Sequence, residues 1–307
     1  MILTVTLNPS VDIGYQLNTF ELDGVNRVET VSKTAGGKGL NVTRVLRLLN
    51  EDTGAAGFLG GSLGNFIHAQ LQELGVKDFF IEIDGETRNC IAVLHEGKQT
   101  EILESGPEIA EADAERFMKG YRDWLEAMDV ITLSGSLPKG MPDDYYARLI
   151  AIAAEADVPV LLDTKGELLN QALRTDKKPF LIKPNEDELA DLLGEKPENL
   201  IAALHAPIFA GIEWIVVTLG AKGALVKHLD TIYKVSPPQV NAVNPVGSGD
   251  SVIAGFASGL VRKLPEIELM KYALSMGVLN ALEEKTGHIN PDRVEWCMKQ
   301  MKVEKVC

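Results

Sequence analysis

Cysteine is scarce in this sequence: Cys90, Cys297 and Cys307 are the whole complement among 307 residues. The number is odd and the spacing fits neither a disulfide framework nor a metal site, so reduced thiols in a cytoplasmic protein are expected. Long apolar runs are missing too. No stretch approaches the roughly 18 apolar residues of a membrane-spanning helix, and the N-terminal MILTVTLNPSVD lacks the basic flank and apolar run of a signal peptide. Positive charge is in short supply: 30 Lys and Arg stand against 44 Asp and Glu, a formal net charge of −14. That balance argues against nucleic acid or an anionic membrane as partner, yet leaves room for a small anionic substrate held by a local basic cluster. His68, His95, His205, His228 and His288 show no metal-ligand or triad spacing. No linker, internal repeat or low-complexity tract interrupts the chain.

What is present is enough apolar residue, 45 % of the chain, for a large buried core. Short apolar runs at 2–7, 53–59, 129–134, 158–163, 179–183 and 213–219 read as strands, several of them apolar nearly throughout, as in a parallel sheet buried on both faces. Helical patterns lie between them at 38–50, 63–74, 111–127, 143–156, 186–193 and 198–210, and the last third turns mostly helical at 249–263 and 266–285. Asn290-Pro291 then starts a further helix with a cap and a first-position proline. The alternation predicts an α/β fold, a mostly parallel sheet flanked by helices. Two segments, at about 13–34 and 86–104, break the rhythm with alternating runs and a turn at Glu96-Gly97-Lys98, and read as antiparallel hairpins forming a small lid or an oligomer contact.

The most telling stretch is Asn244-Pro245-Val246-Gly247-Ser248-Gly249-Asp250-Ser251. Gly247 and Gly249 let a backbone approach a ligand closely, and the first N–H groups of a helix are unpaired and partly positive, which makes an anion site. A carboxylate there would repel a phosphate unless it takes a proton from an attacking hydroxyl. An acid in the first turn of a helix is also favourable against the dipole by itself, so the motif needs support from the rest of the chain.

Support comes from the strand ends. The apolar runs terminate in Asn8-Pro9-Ser10-Val11-Asp12, Ser134-Gly135-Ser136, Asp163-Thr164, Lys183-Pro184-Asn185 and Thr218-Leu219-Gly220, and open parallel sheets bind ligands beyond those ends. Gly36-Gly37-Lys38-Gly39-Leu40-Asn41 opens a helix and is neither a Walker loop nor a dinucleotide fingerprint. Its glycines allow a sugar to approach, with Asn41 projecting from the first turn, and Lys38 either meets a phosphate or is solvated. Asn185 and Glu188 have capping-box spacing, which is compatible with holding waters around Mg²⁺. Arg88 and Arg27 are candidate phosphate ligands.

On these residues the chain resembles the ribokinase-like sugar kinases, in their phosphofructokinase-B branch. The carriers are NPSVD at 8–12, GGKGLN at 36–41, SGSLPKG at 134–140, KPNEDEL at 183–189, VTLGAKGA at 217–224 and PVGSGDS at 245–251, in family order over essentially the whole chain. TAGGKGLNVTRVL at 34–46, GETRNCIAVLH at 85–95, FAGIEWI at 209–215 and TGHIN at 286–290 are similar to a subgroup acting on a phosphorylated ketohexose, and fructose-phosphate kinases share much of that pattern. Lys165 and Val252 depart from the usual small polar residue and threonine.

The resemblance implies a single ribokinase-like domain over 1–307 that transfers the γ-phosphoryl group of ATP to a sugar hydroxyl. It implies Asp250 as base and the backbone of Gly247, Ser248, Gly249 and Asp250 as anion hole. Asn185 and Glu188 would support Mg²⁺ through water. Lys183, Asn185, Thr218, Gly220 and Gly223 would lie near nucleotide phosphates and ribose, and Asn280 near the adenine. Asp12, Gly37 and Asn41 would bind sugar hydroxyls, and Arg88, with Lys38 and Arg27, the phosphate already on the substrate. The hairpins would form the lid, which in relatives often pairs with another subunit's lid and implies a homodimer. A non-catalytic sugar-phosphate sensor remains as an alternative, because fold does not fix function. The intact Asp250, Glu188 and glycine set counts against it. A dinucleotide-binding oxidoreductase fails on the missing G-x-G-x-x-G after the first strand.

Overall fold

A computed structural model describes the whole chain, Met1 to Cys307. From one edge its eleven-stranded sheet runs Lys302–Lys305, Thr231–Ser236, Ala224–His228, Trp214–Thr218, Leu181–Ile182, Val160–Asp163, Val130–Ser134, Ile2–Thr6, Thr53–Leu59 and Lys77–Asp78, with Ile81–Glu82 also paired to Thr53–Leu59. Pairing is parallel from Trp214–Thr218 through to Lys77–Asp78 and Ile81–Glu82, and antiparallel from Trp214–Thr218 out to Lys302–Lys305. The near-continuous apolar runs are explained by burial on both faces. Alternate residues of one strand enter different cores, as side chains of period two must. Leu3, Val5, Ile131, Leu133, Leu162, Ile182, Ile215 and Val217 meet the helices Glu111–Trp124, Tyr145–Glu155, Gly166–Arg174 and Glu186–Leu193. Ile2, Val130, Leu161, Leu181, Trp214 and Val216 meet Lys38–Leu48, Ser248–Val261, Glu266–Ala281 and Val294–Gln300.

The parallel strands end together on one side, with Asp163 directly opposite Ser134. The motifs at Asn8, Lys183 and Thr218 emerge on that side. The two helices that open at the glycine motifs, Lys38–Leu48 and Ser248–Val261, pack against each other and begin there as well. At their far ends they are clamped. Glu51 Oε1 accepts from Ser258 Oγ at 2.7 Å and from Arg262 Nε at 2.6 Å, while Arg262 Nη2 donates to Leu49 O.

The expected elements differ from the observed ones in specific places. The helix expected over 198–210 is only Leu200–Ala203 and a 3₁₀ turn at Pro207–Phe209, because Pro207 has no N–H to continue the ladder and Ala206 before it is extended. The helix Gly166–Arg174, the hairpin of Ala224–His228 with Thr231–Ser236, and the strand Lys302–Lys305 were not anticipated. Asn290 does cap through its side chain, onto the Asp292 N–H, but the turn it opens at Pro291–Arg293 is 3₁₀ before Val294–Gln300 continues as α-helix.

The two irregular segments meet in one four-stranded sheet. Ser10–Leu17 pairs with Thr30–Gly36 and Arg88–His95 with Lys98–Leu103, both antiparallel, the latter through a tight turn with Glu96 and Gly97 at φ 49° and 70°. The central pairing of Ser10–Leu17 with Arg88–His95 is parallel, so the small sheet is mixed. The two hairpins pair through strands that leave the large sheet in the same direction, and no tight turn joins them. One face, with Val11, Ile13 and Ala35, is buried over Leu40, Ile67 and Leu71. The other carries Asp12 with Cys90 opposite it.

Candidate active site

The helix Ser248–Val261 opens at Gly247 in the left-handed region, φ 84°, with no side-chain cap. A Cβ at Gly247 would fall 2.7 Å from Thr286 Cγ2 and 2.9 Å from Gly287 N, so glycine is required twice over, by conformation and by space. The Ser248 N–H bonds to Pro245 O and the Ser251 N–H to Gly247 O, and between them the amides of Gly249 and Asp250 have no acceptor in the protein. Behind this loop lies Asn280, fully buried. Its Nδ2 donates to Val246 O at 2.8 Å and its Oδ1 accepts from the Gly287 and His288 amides. Expected beside an adenine, Asn280 is instead spent within the protein as the brace of the glycine loop.

Asp250 is 6 % exposed and accepts from Asn41 Nδ2 at 2.8 Å. Burial first, then the nearby Asp163 carboxylate, push its carboxyl up to about 6, against the pull of Lys38, the Asn41 amide and Lys183. Asp163 is 1 % exposed and meets both Lys38 Nζ and Lys183 Nζ at 3.4 Å. Burial opposes its charge, but Lys183 and Lys38 outweigh that and hold its carboxyl below the ordinary value. Burial likewise opposes the charge on Lys38, which Asp163, Asp250 and Glu188 keep cationic. Lys183 reaches the glycine loop itself: a side chain at Gly249 would come within 3.0 Å of its Nζ. A carboxylate with a near-neutral proton affinity thus stands beside unpaired amides and two ammonium groups. It can accept a proton, and they can stabilise charge on phosphoryl oxygens.

On the lid side, Asp12 accepts from Ser10 Oγ at 2.6 Å and lies over Gly36, where a Cβ would fall 2.0 Å from its carboxyl carbon. Burial raises its carboxyl above the ordinary value, with Ser10, Arg44, Arg88 and the Gly37 amide opposing. Gly37, at φ 101°, starts the helix that carries Lys38 and Asn41. Arg88 holds the root of the small sheet, with Nε and Nη2 on Asn8 O and Nη1 on Glu104 O. Arg27 is not brought to this cluster. It is exposed in the loop beyond Gln16 and Thr30, at the far tip of the hairpin whose base carries Asp12.

On the nucleotide side, Asn185 and Glu188 close the capping box: Asn185 Oδ1 accepts from the Glu188 N–H at 2.8 Å and Glu188 Oε2 from the Asn185 N–H at 3.0 Å. Glu188 Oε1 stays unengaged. Thr218 lies beside Asn185 and donates its N–H to Pro184 O, and Gly220 at φ 58° leaves open space around it. At Gly223 a Cβ would fall 2.0 Å from Val235 O. Its glycine is required by the hairpin packing.

No three His, Cys, Asp or Glu side chains converge as a metal cage. The site nevertheless offers hard oxygen atoms of the type Mg²⁺ takes alongside waters and phosphates, the free Glu188 Oε1 and the buried, unpartnered Asp163 Oδ2. The residues present fit a hydrated Mg²⁺.

One participant was not singled out from sequence and another only as a polar strand end. Arg44 follows Asn41 by three residues, a spacing that puts both on one helix face, and Asp163 is the charged end of an otherwise apolar strand.

A mostly parallel sheet flanked by helices, with a buried carboxylate at an uncapped helix start beyond its strand ends, is the architecture of an α/β kinase. The chain belongs to the pfkB family of carbohydrate kinases, whose model matches residues 5–293. Tagatose-6-phosphate kinases from two strains of Staphylococcus epidermidis are each 52 % identical over 310 residues, covering all of both chains. The structure of phosphofructokinase-2 from Escherichia coli superposes with a TM-score of 0.89 at 25 % identity, covering 97 % of this chain and 98 % of that one. The protein is an ATP-dependent sugar kinase. No helix is long and apolar enough to cross a membrane.

Proposed function

We propose that this kinase transfers the γ-phosphoryl group of ATP to the C1 hydroxyl of D-tagatose 6-phosphate, giving D-tagatose 1,6-bisphosphate and ADP. The observation that carries the chemistry is Asp250, buried at the uncapped helix start with its carboxyl pushed up to about 6. The sugar is supported by the full-length 52 % identity to tagatose-6-phosphate kinases.

The hydroxyl oxygen attacks the γ-phosphorus, the bond from that phosphorus to the bridging oxygen breaks with its electrons going to ADP, and the hydroxyl proton passes to Asp250. The unpaired amides of Gly249 and Asp250 receive the equatorial oxygens, and Lys183, against Gly249, adds positive charge there. Asp12, Gly37 and Asn41 orient the sugar. Arg88 holds the 6-phosphate from the lid root, and Lys38, between Asp163 and Asp250, adds charge at the reacting end. Lys183, Asn185, Thr218 and Gly220 line the nucleotide side. Mg²⁺, held through waters by Glu188 and Asn185, would supply charge neutralisation between the phosphates.

The small sheet, including segments 13–34 and 86–104, acts as the lid of a single kinase domain. Its exposed apolar residues, Leu22 at 85 % and Ile102 at 54 % among them, fit a homodimer formed through it, which would also give Arg27 at the hairpin tip a phosphate to meet. A tetrameric form of phosphofructokinase-2 from E. coli is known.

The test is ADP release with Mg²⁺-ATP and, in parallel, tagatose 6-phosphate, fructose 1-phosphate and fructose 6-phosphate, compared by kcat/KM. Preference for tagatose 6-phosphate is expected. Preference for fructose 1-phosphate would make the protein a 1-phosphofructokinase with the same base and cradle, and no turnover on any sugar phosphate would return the sensor reading.

A further inference from the structure

Arg44 touches three parts of the site at once. Its Nη1 donates to Asn41 Oδ1 at 3.1 Å and to Thr286 O at 2.8 Å, and its Nη2 donates to Ala35 O at 2.5 Å. Ala35 immediately precedes the glycines at the lid root. Thr286 immediately precedes Gly287, whose amide is held by Asn280, the brace of the glycine loop. Gly287 is shaped to this arrangement, because a Cβ there would fall 2.7 Å from Arg44 Nη1 and 3.0 Å from Asn41 Cα.

The consequence lies in Asn41. A side-chain amide has an acceptor end and a donor end, and either can face a neighbour. A guanidinium has only donors, so Arg44 requires the Oδ1 end of Asn41 toward itself. The Nδ2 end is thereby turned to Asp250 Oδ2, at 2.8 Å. We infer that Arg44 is a positioning residue that sets the polarity of the Asn41 amide, keeping a donor on Asp250 and so favouring its carboxylate, and that it ties this setting to the seating of the lid root. Without Arg44 the amide is free to turn its oxygen to Asp250, where it would repel the carboxylate and accept from the protonated acid.

Other charges face Asp250. Lys38 lies on the same helix as Asn41, Asp163 ends the strand Val160–Asp163, and Lys183 follows Leu181–Ile182, with Glu188 and Asp12 acting through Lys38 and Arg44 respectively. None of these fixes the direction of the amide. The guanidinium also attracts Asp250 directly through its charge; that part would persist without Asn41, so adding Arg44→Met to Asn41→Ala moves the limb further only if the charge, and not the amide, carries the effect.

The inference rests on Asp250 being the base. The experiment is the pH dependence of kcat for the wild type, Arg44→Met and Arg44→Lys, with ATP and sugar-phosphate KM recorded for each. Loss of a donor to a carboxylate should move the acid limb up by about one pH unit in Arg44→Met. ATP KM should stay unchanged, and Arg44→Lys, which restores a donor to Oδ1, should bring the limb part of the way back. A fall in kcat with the acid limb in place would overturn the inference while leaving the base assignment intact. If Arg44→Met does not fold, Arg44→Lys and Asn41→Ala carry the test: Asn41→Ala must raise the limb, and an unmoved limb in both rejects it. Failure of the base reading itself is distinguished by Asp250→Ala keeping its turnover.

Discussion

The two sides of the crevice are built differently. On the side of the large sheet, Asp250, Asp163, Lys183 and Asn280 are buried, their partners lie within the same chain, and Gly247 is closed in by Thr286 and Gly287. On the side of the small sheet, Leu22, Val25, Ile102 and Leu103 are exposed, and Arg27 stands at the tip with nothing to hold. The first side is closely packed within a single chain, and the second is open to solvent. Under the proposed function, the packed side would stabilise a fixed charge pattern, and the open side would admit and release the sugar.

The sharpest way to break this comparison is at Asp250. Asp250→Ala should lower kcat by roughly 10²–10⁴-fold while ATP still binds, as read by ADP release and by calorimetric titration with ATP. Near-normal turnover would remove the base from the packed side. Arg88→Ala should instead raise KM for the sugar phosphate by roughly 10- to 100-fold, the weight of a charged hydrogen bond, with kcat changed far less because the lost contact is remote from the reacting oxygen. An unchanged KM would take Arg88 out of the open side. The smallest effect is expected from Leu22→Ser combined with Val25→Ser. Light scattering should show a shift toward monomer with little change in melting temperature. An unaltered mass would place any association elsewhere.

Much of the packed side is readable in the sequence because it is local. Gly247, Gly249 and Asp250 lie within four residues, and their backbone needs dictate their identities. The strands are readable because burial on both faces leaves them apolar throughout. What could not be read depends on contacts across the chain. Arg44 meets Thr286 over a separation of 242 residues, and nothing near either residue announces the bond. Asn280 carries the same side chain whether it meets a ligand or braces a loop, and only the fold puts the Val246 carbonyl against it. Gly223 shows the same ambiguity, since a glycine wanted by a nucleotide and one wanted by a neighbouring strand leave the same letter. The parallel joining of the two hairpins was hidden as well, because each hairpin is complete in its local pattern and their register is set by how both leave the large sheet.

The outer borders of the large sheet carry a final implication. One is Lys302–Lys305, with sequence Lys-Val-Glu-Lys, and the other is the two-residue Lys77–Asp78, both largely exposed. Short, charged borders are poor templates for another strand, because an incoming chain would have to strip water from lysines and carboxylates to pair with them. This sheet is therefore protected from growing into ribbons and precipitating. Replacing Lys302 and Lys305 with valine would make solubility, before activity, the property that fails.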